Sequence, residues 1–147
     1  MVILVNKWDL ASGTNVSAEL YKEDMYMEFK DLQHYPILFV SALTKRRVSN
    51  ILEIAWEIFT KQRDKLSTKE LNVWIEKAVR NYPPPATQGK SIKIKFVEQV
   101  QQSPPIFALF SNYPKLISIQ YLRYLHNQLR ESFDLKGITI KFSLRKG

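Results

Sequence analysis

Two short, wholly apolar runs, each followed by a helical stretch, constrain this chain more than any other feature. Val2-Ile3-Leu4-Val5 and Pro36-Ile37-Leu38-Phe39-Val40 show no polar alternation. Each reads as a strand buried on both faces, as in a parallel sheet. Between them a loop with Ser12, Gly13 and Thr14 leads into a helix from about Ser17 to Gln33. After the second run, Ile51, Ala55, Ile58, Phe59 and Gln62 recur at helical spacing and predict a helix from Asn50 to about Gln62. Strand, helix, strand, helix implies parallel pairing in a layered α/β arrangement. Two strands do not make a stable doubly wound domain, so this first module, residues 1–62, is expected to be incomplete.

The rest of the 147 residues follows a different pattern. The charged stretch from Lys61 to Lys69 reads as a linker, narrowest at 63–67, and a second module occupies 68–147. Thr68 is a candidate N-cap for a helix that runs to about Asn81 and stops at Pro83-Pro84-Pro85. From Ser91 to Val100 the chain starts with strict alternation, which places Ile92, Ile94 and Phe96 on one face and Lys93 and Lys95 on the other. Pro104-Pro105 marks a turn. Ile106–Phe110 is apolar on both faces, as expected of a central strand. Ser118 opens a helix with an apolar stripe of Leu122, Leu125, Leu129 and Phe133. After Gly137 a last strand directs Ile138, Ile140, Phe142 and Leu144 to the core. The second module is thus α-β-β-α-β, with its helices on one face of a three-stranded sheet. Trp74, Tyr121 and Tyr124 lie on its helices at packing positions.

Composition removes several function classes. There is no cysteine, which excludes disulfides, thiolate metal sites and cysteine nucleophiles and suits a reducing compartment. His34 and His126 are far apart and have no partner at motif spacing, so no metal site and no catalytic role is assigned. No apolar run approaches the roughly 20 residues of a membrane span. The opening Met-Val-Ile-Leu-Val-Asn-Lys has no basic start and is not expected to be a signal peptide. A cytoplasmic protein without membrane partners is expected. The net charge is +8, and it is unevenly spread. Residues 1–60 hold 6 basic and 8 acidic side chains, whereas 61–147 hold 16 and 6. The second module therefore reads either as a solvated basic surface or as one that faces a polyanion.

The chemistry is concentrated after the first strand, in Asn6-Lys7-Trp8-Asp9, an Asn-Lys-x-Asp tetrad. The Asp9 carboxylate can accept hydrogen bonds from both N1–H and the exocyclic amine of guanine, a donor pair that adenine lacks. Lys7 can lay its methylene stem along the base, and the Asn6 amide can brace neighbouring loops. Ser41-Ala42-Leu43 closes the next strand, where the Ala42 N–H can meet the guanine carbonyl. Both elements sit at carboxyl ends of successive strands, where open parallel sheets bind ligands. The bland alternative makes Asn6 and Asp9 turn formers and Ser41 a helix cap.

Val-Asn-Lys-Trp-Asp-Leu and Phe-Val-Ser-Ala-Leu-Thr with Arg47-Val48 resemble the base-recognition loops of translation-factor-type GTPases. Thr68 with Leu71-Asn72, Pro84 with Gly89-Lys90, Pro104-Pro105 with Phe107 and Leu109-Phe110, Tyr121-Arg123-Tyr124, and Leu129-Arg130-Glu131 with Phe133 narrow this to the carboxyl-terminal region of the Der (EngA) tandem GTPases. The resemblance implies a partial P-loop GTPase sheet, its last two strands and helices, followed by a KH-like domain. It further implies GTP or GDP as ligand, a role in assembling the large ribosomal subunit, and contacts with ribosomal RNA and with GTPase domains of the same protein. The phosphate-binding Gly-x-x-x-x-Gly-Lys-Ser/Thr has no match. In Gly89-Lys90-Ser91 the required first glycine is Pro84. The magnesium-contacting threonine loop and the Asp-x-x-Gly element are also absent, so Mg²⁺ would be held only through a part not present here. The expectation is a fragment that does not hydrolyse GTP by itself. Lys45-Arg46-Arg47, where relatives usually have a glycine or polar residue beside the arginine, reads as a solvated basic turn or as an addition to an RNA-facing edge.

KH domains usually grip single strands through a Gly-x-x-Gly loop. The four glycines, Gly13, Gly89, Gly137 and Gly147, form none. What is left for RNA is the sheet and its charges. Lys93, Lys95, Lys141 and Arg145 are expected on the face opposite the helices, with Lys146 trailing the last strand and Phe107 and Leu109 on that same face. Those two are expected either to stack bases among lysines or to make an apolar contact with a GTPase domain. Arg123 and Arg130, seven residues apart, share a helical face that could reach phosphates or simply be solvated. The competing readings of the whole chain are a free-standing RNA-binding protein and an interdomain docking module without nucleotide function.

Overall fold

The computed structural model describes residues 1–11 and 13–147; Ser12, read above as part of a loop, lies outside the described residues. The chain divides into two compact units, residues 1–61 with 136–138 and residues 62–135 with 139–147.

The first unit is built on β1 (Ile3–Val5) and β2 (Ile37–Phe39). They pair in parallel with Ile3 opposite Ile37 and Val5 opposite Phe39. The connection is α1 (Ala18–Glu28). Its N-cap Ser17 accepts the Leu20 N–H at 3.1 Å, satisfying one of the helix's unpaired amides. The helix ends at Glu28 and does not reach the expected Gln33. Phe29 leaves helical geometry at φ −123°, and Lys30–His34 tighten into a 3₁₀ turn. Then α2 (Val48–Gln62) presents Ile58 to the interior. The core is thin: Phe39, Val40, Ile58 and Ile138 are buried, while Leu4, Leu20, Leu52, Trp56 and Phe59 stay exposed.

The second unit has the order α3 (Thr68–Asn81), β3 (Ile94–Gln101), β4 (Ile106–Ser111), α4 (Ile119–Ser132) and β5 (Lys141–Lys146), the expected α-β-β-α-β. The cap of α3 is Ser67, with Thr68 the first helical residue. Leu71, Trp74, Ile75 and Ala78 form its buried stripe, at the i, i+3, i+4, i+7 spacing of one helix face. On α4 the stripe is Tyr121, Leu125 and Leu129, with Tyr121 one residue before the expected Leu122. Strand order is β3-β4-β5, β3 antiparallel and β5 parallel to β4. A parallel neighbour needs a crossover, and α4 supplies it. As an edge strand β3 would expose backbone groups. Asn72 of α3 covers two of them, its side chain accepting the Val97 N–H at 3.0 Å and donating to the Val97 carbonyl at 3.1 Å.

The alternation from Ser91 fails first between Ile94 and Phe96, and the register shifts again between Gln99 and Gln101. Ile94 lies opposite Ser111 and Phe96 opposite Phe110, so two residues of β3 span one of β4. Lys95 is the extra residue of a β-bulge, which reverses the strand's phase. Val97 and Gln99 then point to the core and Phe96 points out. The same geometry corrects Phe107 and Leu109. Both are fully buried, and Phe107 packs beside Phe142, which meets His126 of α4. They belong to the helix-covered side, not the open face.

Candidate nucleotide and basic surfaces

The tetrad emerges directly from β1. Lys7 takes φ +60°, the left-handed region in which an L residue is held only by its surroundings. Here the Trp8 N–H donates to the Val40 carbonyl at 3.0 Å, and the Lys7 carbonyl accepts the Leu10 N–H at 3.0 Å. Trp8 opens a single 3₁₀ turn. Its indole packs against Phe39, centroids 4.3 Å apart, and against Tyr21 at 5.6 Å. The variable position of the tetrad is thus the wedge that seats the loop, a role an aromatic at a strand end hints at but does not prove.

The two strand ends meet through side chains. The Ser41 hydroxyl, fully buried, donates to Asp9 Oδ1 and accepts the Thr44 N–H at 3.2 Å. The Asn6 carbonyl oxygen Oδ1 accepts the Ala42 N–H at 3.1 Å. Asn6 therefore braces the second loop, and Asp9 is oriented by Ser41. Oδ2 of Asp9 has no hydrogen-bond partner among the described residues, which leaves a carboxylate edge open. The Ala42 N–H, read as the donor to a base carbonyl, points to Asn6 here, so such a carbonyl would share that proton. Leu43 and Lys7 are exposed and make no hydrogen bond to the cluster. Thr44 enters through its backbone alone, which no side-chain pattern announces.

The basic turn that follows has Lys45 at φ +57° and Arg47 at φ +58°, with the Arg46 carbonyl accepting the Ser41 N–H at 3.2 Å. A glycine would meet less steric resistance at either position. Gly89 and Gln88, at φ +71° and +53°, are the centre of a tight turn closed by reciprocal Thr87–Lys90 bonds of 3.1 and 3.0 Å. That is a hairpin-type turn, and a strand, not a helix, follows it.

The seven cations assigned to RNA do not form one cluster. Cross-strand partners share a face, so Phe96, Phe110 and Arg145 form one row, and Ile106 with Lys141 another, all opposite the helices. Lys141 and Arg145 are exposed there. Lys95 is the bulge residue and Lys93 precedes the strand; both are exposed. Lys146 pairs with Ser111 on the helix side. Arg123 is exposed on α4. Arg130 is committed to structure, donating to the Leu135 carbonyl at 2.7 Å and to His126 Nδ1 at 3.4 Å. Near α3, the Tyr121 and Tyr124 hydroxyls donate to the Tyr82 and Ala78 carbonyls, each at 2.8 Å. Burial, then the neighbouring Tyr124 and Tyr82, push the Tyr121 hydroxyl well above its ordinary range.

Residues 65–145 match the family model of the KH-domain-like, carboxyl-terminal part of EngA bacterial GTPase enzymes. The chain belongs to the Der (EngA) GTPase family. Among its relatives, the GTPase Der of Amoebophilus asiaticus is 40% identical over 146 residues, 99% of this chain and 34% of that protein. Those of Flavobacterium johnsoniae and Fusobacterium nucleatum are 39% and 42% identical, over 99% and 97% of this chain. The chain thus spans about a third of the length of the Der proteins it matches. The match covers both units, so Asn6-Lys7-Trp8-Asp9 lies within the shared region as well as the KH-like unit. Among the described residues no group of three or more His, Asp or Glu could hold a metal ion, and no helix is long and apolar enough to cross a membrane.

Proposed function

We propose that this chain is the carboxyl-terminal part of a GTP-binding protein that assists large ribosomal subunit assembly in the bacterial cytoplasm. Its first unit recognises guanine and its second meets ribosomal RNA. The observation that supports this most is the pair of hydrogen bonds linking Asp9 to Ser41 and Asn6 to Ala42 at the ends of two parallel strands. They hold a carboxylate with one free edge next to a loop of backbone amides, the donor–acceptor complement of a guanine edge. Lys7 lies along the base, and Ser41, Ala42 and Leu43 complete the pocket wall. The base-recognition residues fit the nucleotide; the phosphates and Mg²⁺, which supply the hydrolytic chemistry when bound, are assigned no residue of this chain. The upstream part of the GTPase domain holds them in the intact protein, so this chain alone does not turn over GTP.

Guanosine and adenosine titrated into the isotope-labelled chain test the base site. Guanosine is expected to shift the Ala42 and Leu43 amide resonances, adenosine not, and Asp9→Ala to abolish the response. Equal shifts for both nucleosides would remove the specificity. Phosphate release from GTP by this chain would overturn the assignment of catalysis upstream. Binding to ribosomal RNA across a salt series tests the second unit. Each neutralised phosphate adds about 0.7 to 0.9 to the log–log slope, and changing Lys93, Lys95 and Lys141 to Glu is expected to flatten it. Affinity equal to that for any polyanion would leave an interdomain docking surface.

A further inference from the structure

The β-bulge at Lys95 places a large aromatic ring where strand alternation would not. Phe96 is 39% exposed and stacks on Phe110 of the neighbouring strand with centroids 4.1 Å apart and planes 14° apart. Arg145, next in the same row, holds its guanidinium 5.9 Å from the Phe110 ring centroid. Guanidinium and two rings therefore form a row across the open face, and Phe96, on edge strand β3, ends it. Phe110 occupies one side of the Phe96 ring, so the exposed area belongs to its other side and rim. An outward aromatic costs hydration free energy that a bound planar group recovers.

We propose that Phe96 is a stacking platform for an unpaired base of single-stranded RNA, with Lys93 and Lys95 beside it on the flanking phosphates. This rests on the RNA reading above and gives it a site. Charge selects this occupant over an apolar protein surface. Arg145 belongs to the row, Lys95 adjoins Phe96 in the chain with Lys93 two residues before it, and Lys141 lies on the same face four residues along β5, against one carboxylate, Glu98, on that face of the three strands. Sheet aromatics ringed by cations bind single strands because every base has a π-face and every nucleotide a phosphate. A duplex hides its base faces and is not expected to stack here. The site needs no Gly-x-x-Gly loop, which this unit lacks.

The test is fluorescence anisotropy of a mixed-sequence single-stranded RNA, alone and annealed to its complement, with the full chain. The single strand is expected to bind in preference. Phe96→Leu, which keeps an apolar side chain against Phe110, should weaken it about fivefold or more with the salt slope unchanged. Phe96→Trp should restore binding, while Lys95→Gln should lower the slope by about 0.7. Unchanged thermal unfolding of each variant separates stacking from folding. If Phe96→Leu binds like the parent while the triple Lys→Glu variant does not bind, the platform is wrong and the RNA reading stands. If the chain binds RNA no better than polyglutamate, both fall. Loss of contact with the GTPase domains in the intact protein, with RNA affinity kept, would also overturn the platform.

Discussion

The two units bury apolar side chains to very different degrees. In the second, α3 and α4 hide Leu71, Ile75, Leu125 and Leu129 against Val97, Phe107 and Leu109, all essentially inaccessible. In the first, α1 buries no residue and α2 only Ile58, with Leu52 and Trp56 at 76% and 66% exposure. A three-stranded sheet covered by two helices closes a core; two parallel strands leave one side of each helix uncovered. The lesson is that local pattern makes helices in both places, whereas burial depends on how many layers are present.

The sharpest way to break this comparison is a matched truncation. Leu125→Ala should cost roughly 2–5 kcal/mol in urea unfolding of the second unit. Leu52→Ala should stay within about 0.5 kcal/mol, and a large loss there would show the first unit to have a core of its own. Next comes Asn72→Ala, which strips both Val97 backbone partners and is expected to cost about 1–3 kcal/mol. It should also speed amide exchange along β3. Cap removal should be smaller. Ser118→Ala is expected to cost about 1 kcal/mol of second-unit stability, while Ser17→Ala should loosen α1 and leave that transition unchanged.

The smallest effect is in alkali. Tyr121 loses its proton less readily when folded than when unfolded, since burial and then Tyr124 and Tyr82 oppose the charge. The folded state therefore holds more protons above the ordinary value of 10.0, and stability falls as pH rises past it. Tyr121→Phe should flatten that fall in the second unit. An unaltered slope would assign it to other groups.

Much of this was readable from the chain. The apolar runs located β1 and β2, and Leu125 and Leu129 of the expected α4 stripe located part of a core, with Tyr121 buried in place of Leu122. The tetrad and Ser41-Ala42 were legible because strand ends place their residues at one edge of the sheet. The bonds between them were not: Asn6 taking the Ala42 N–H, and Trp8 wedging against Phe39, depend on contacts 36 and 31 positions apart in sequence. Arg130 reads as a surface cation by spacing, yet the end of α4 brings the Leu135 carbonyl to its guanidinium.

By itself the sequence determined element types, their order, the charge imbalance and the position of the Asn-Lys-x-Asp loop, all set by periodicity or by adjacent residues. Only the tertiary structure decided which way β3 faces. Alternation carries phase only while pairing is regular, and pairing of Ile94 and Phe96 with successive residues of β4 inserts Lys95 and turns Phe96 outward. That choice is made between strands, where a single chain's local pattern has no information.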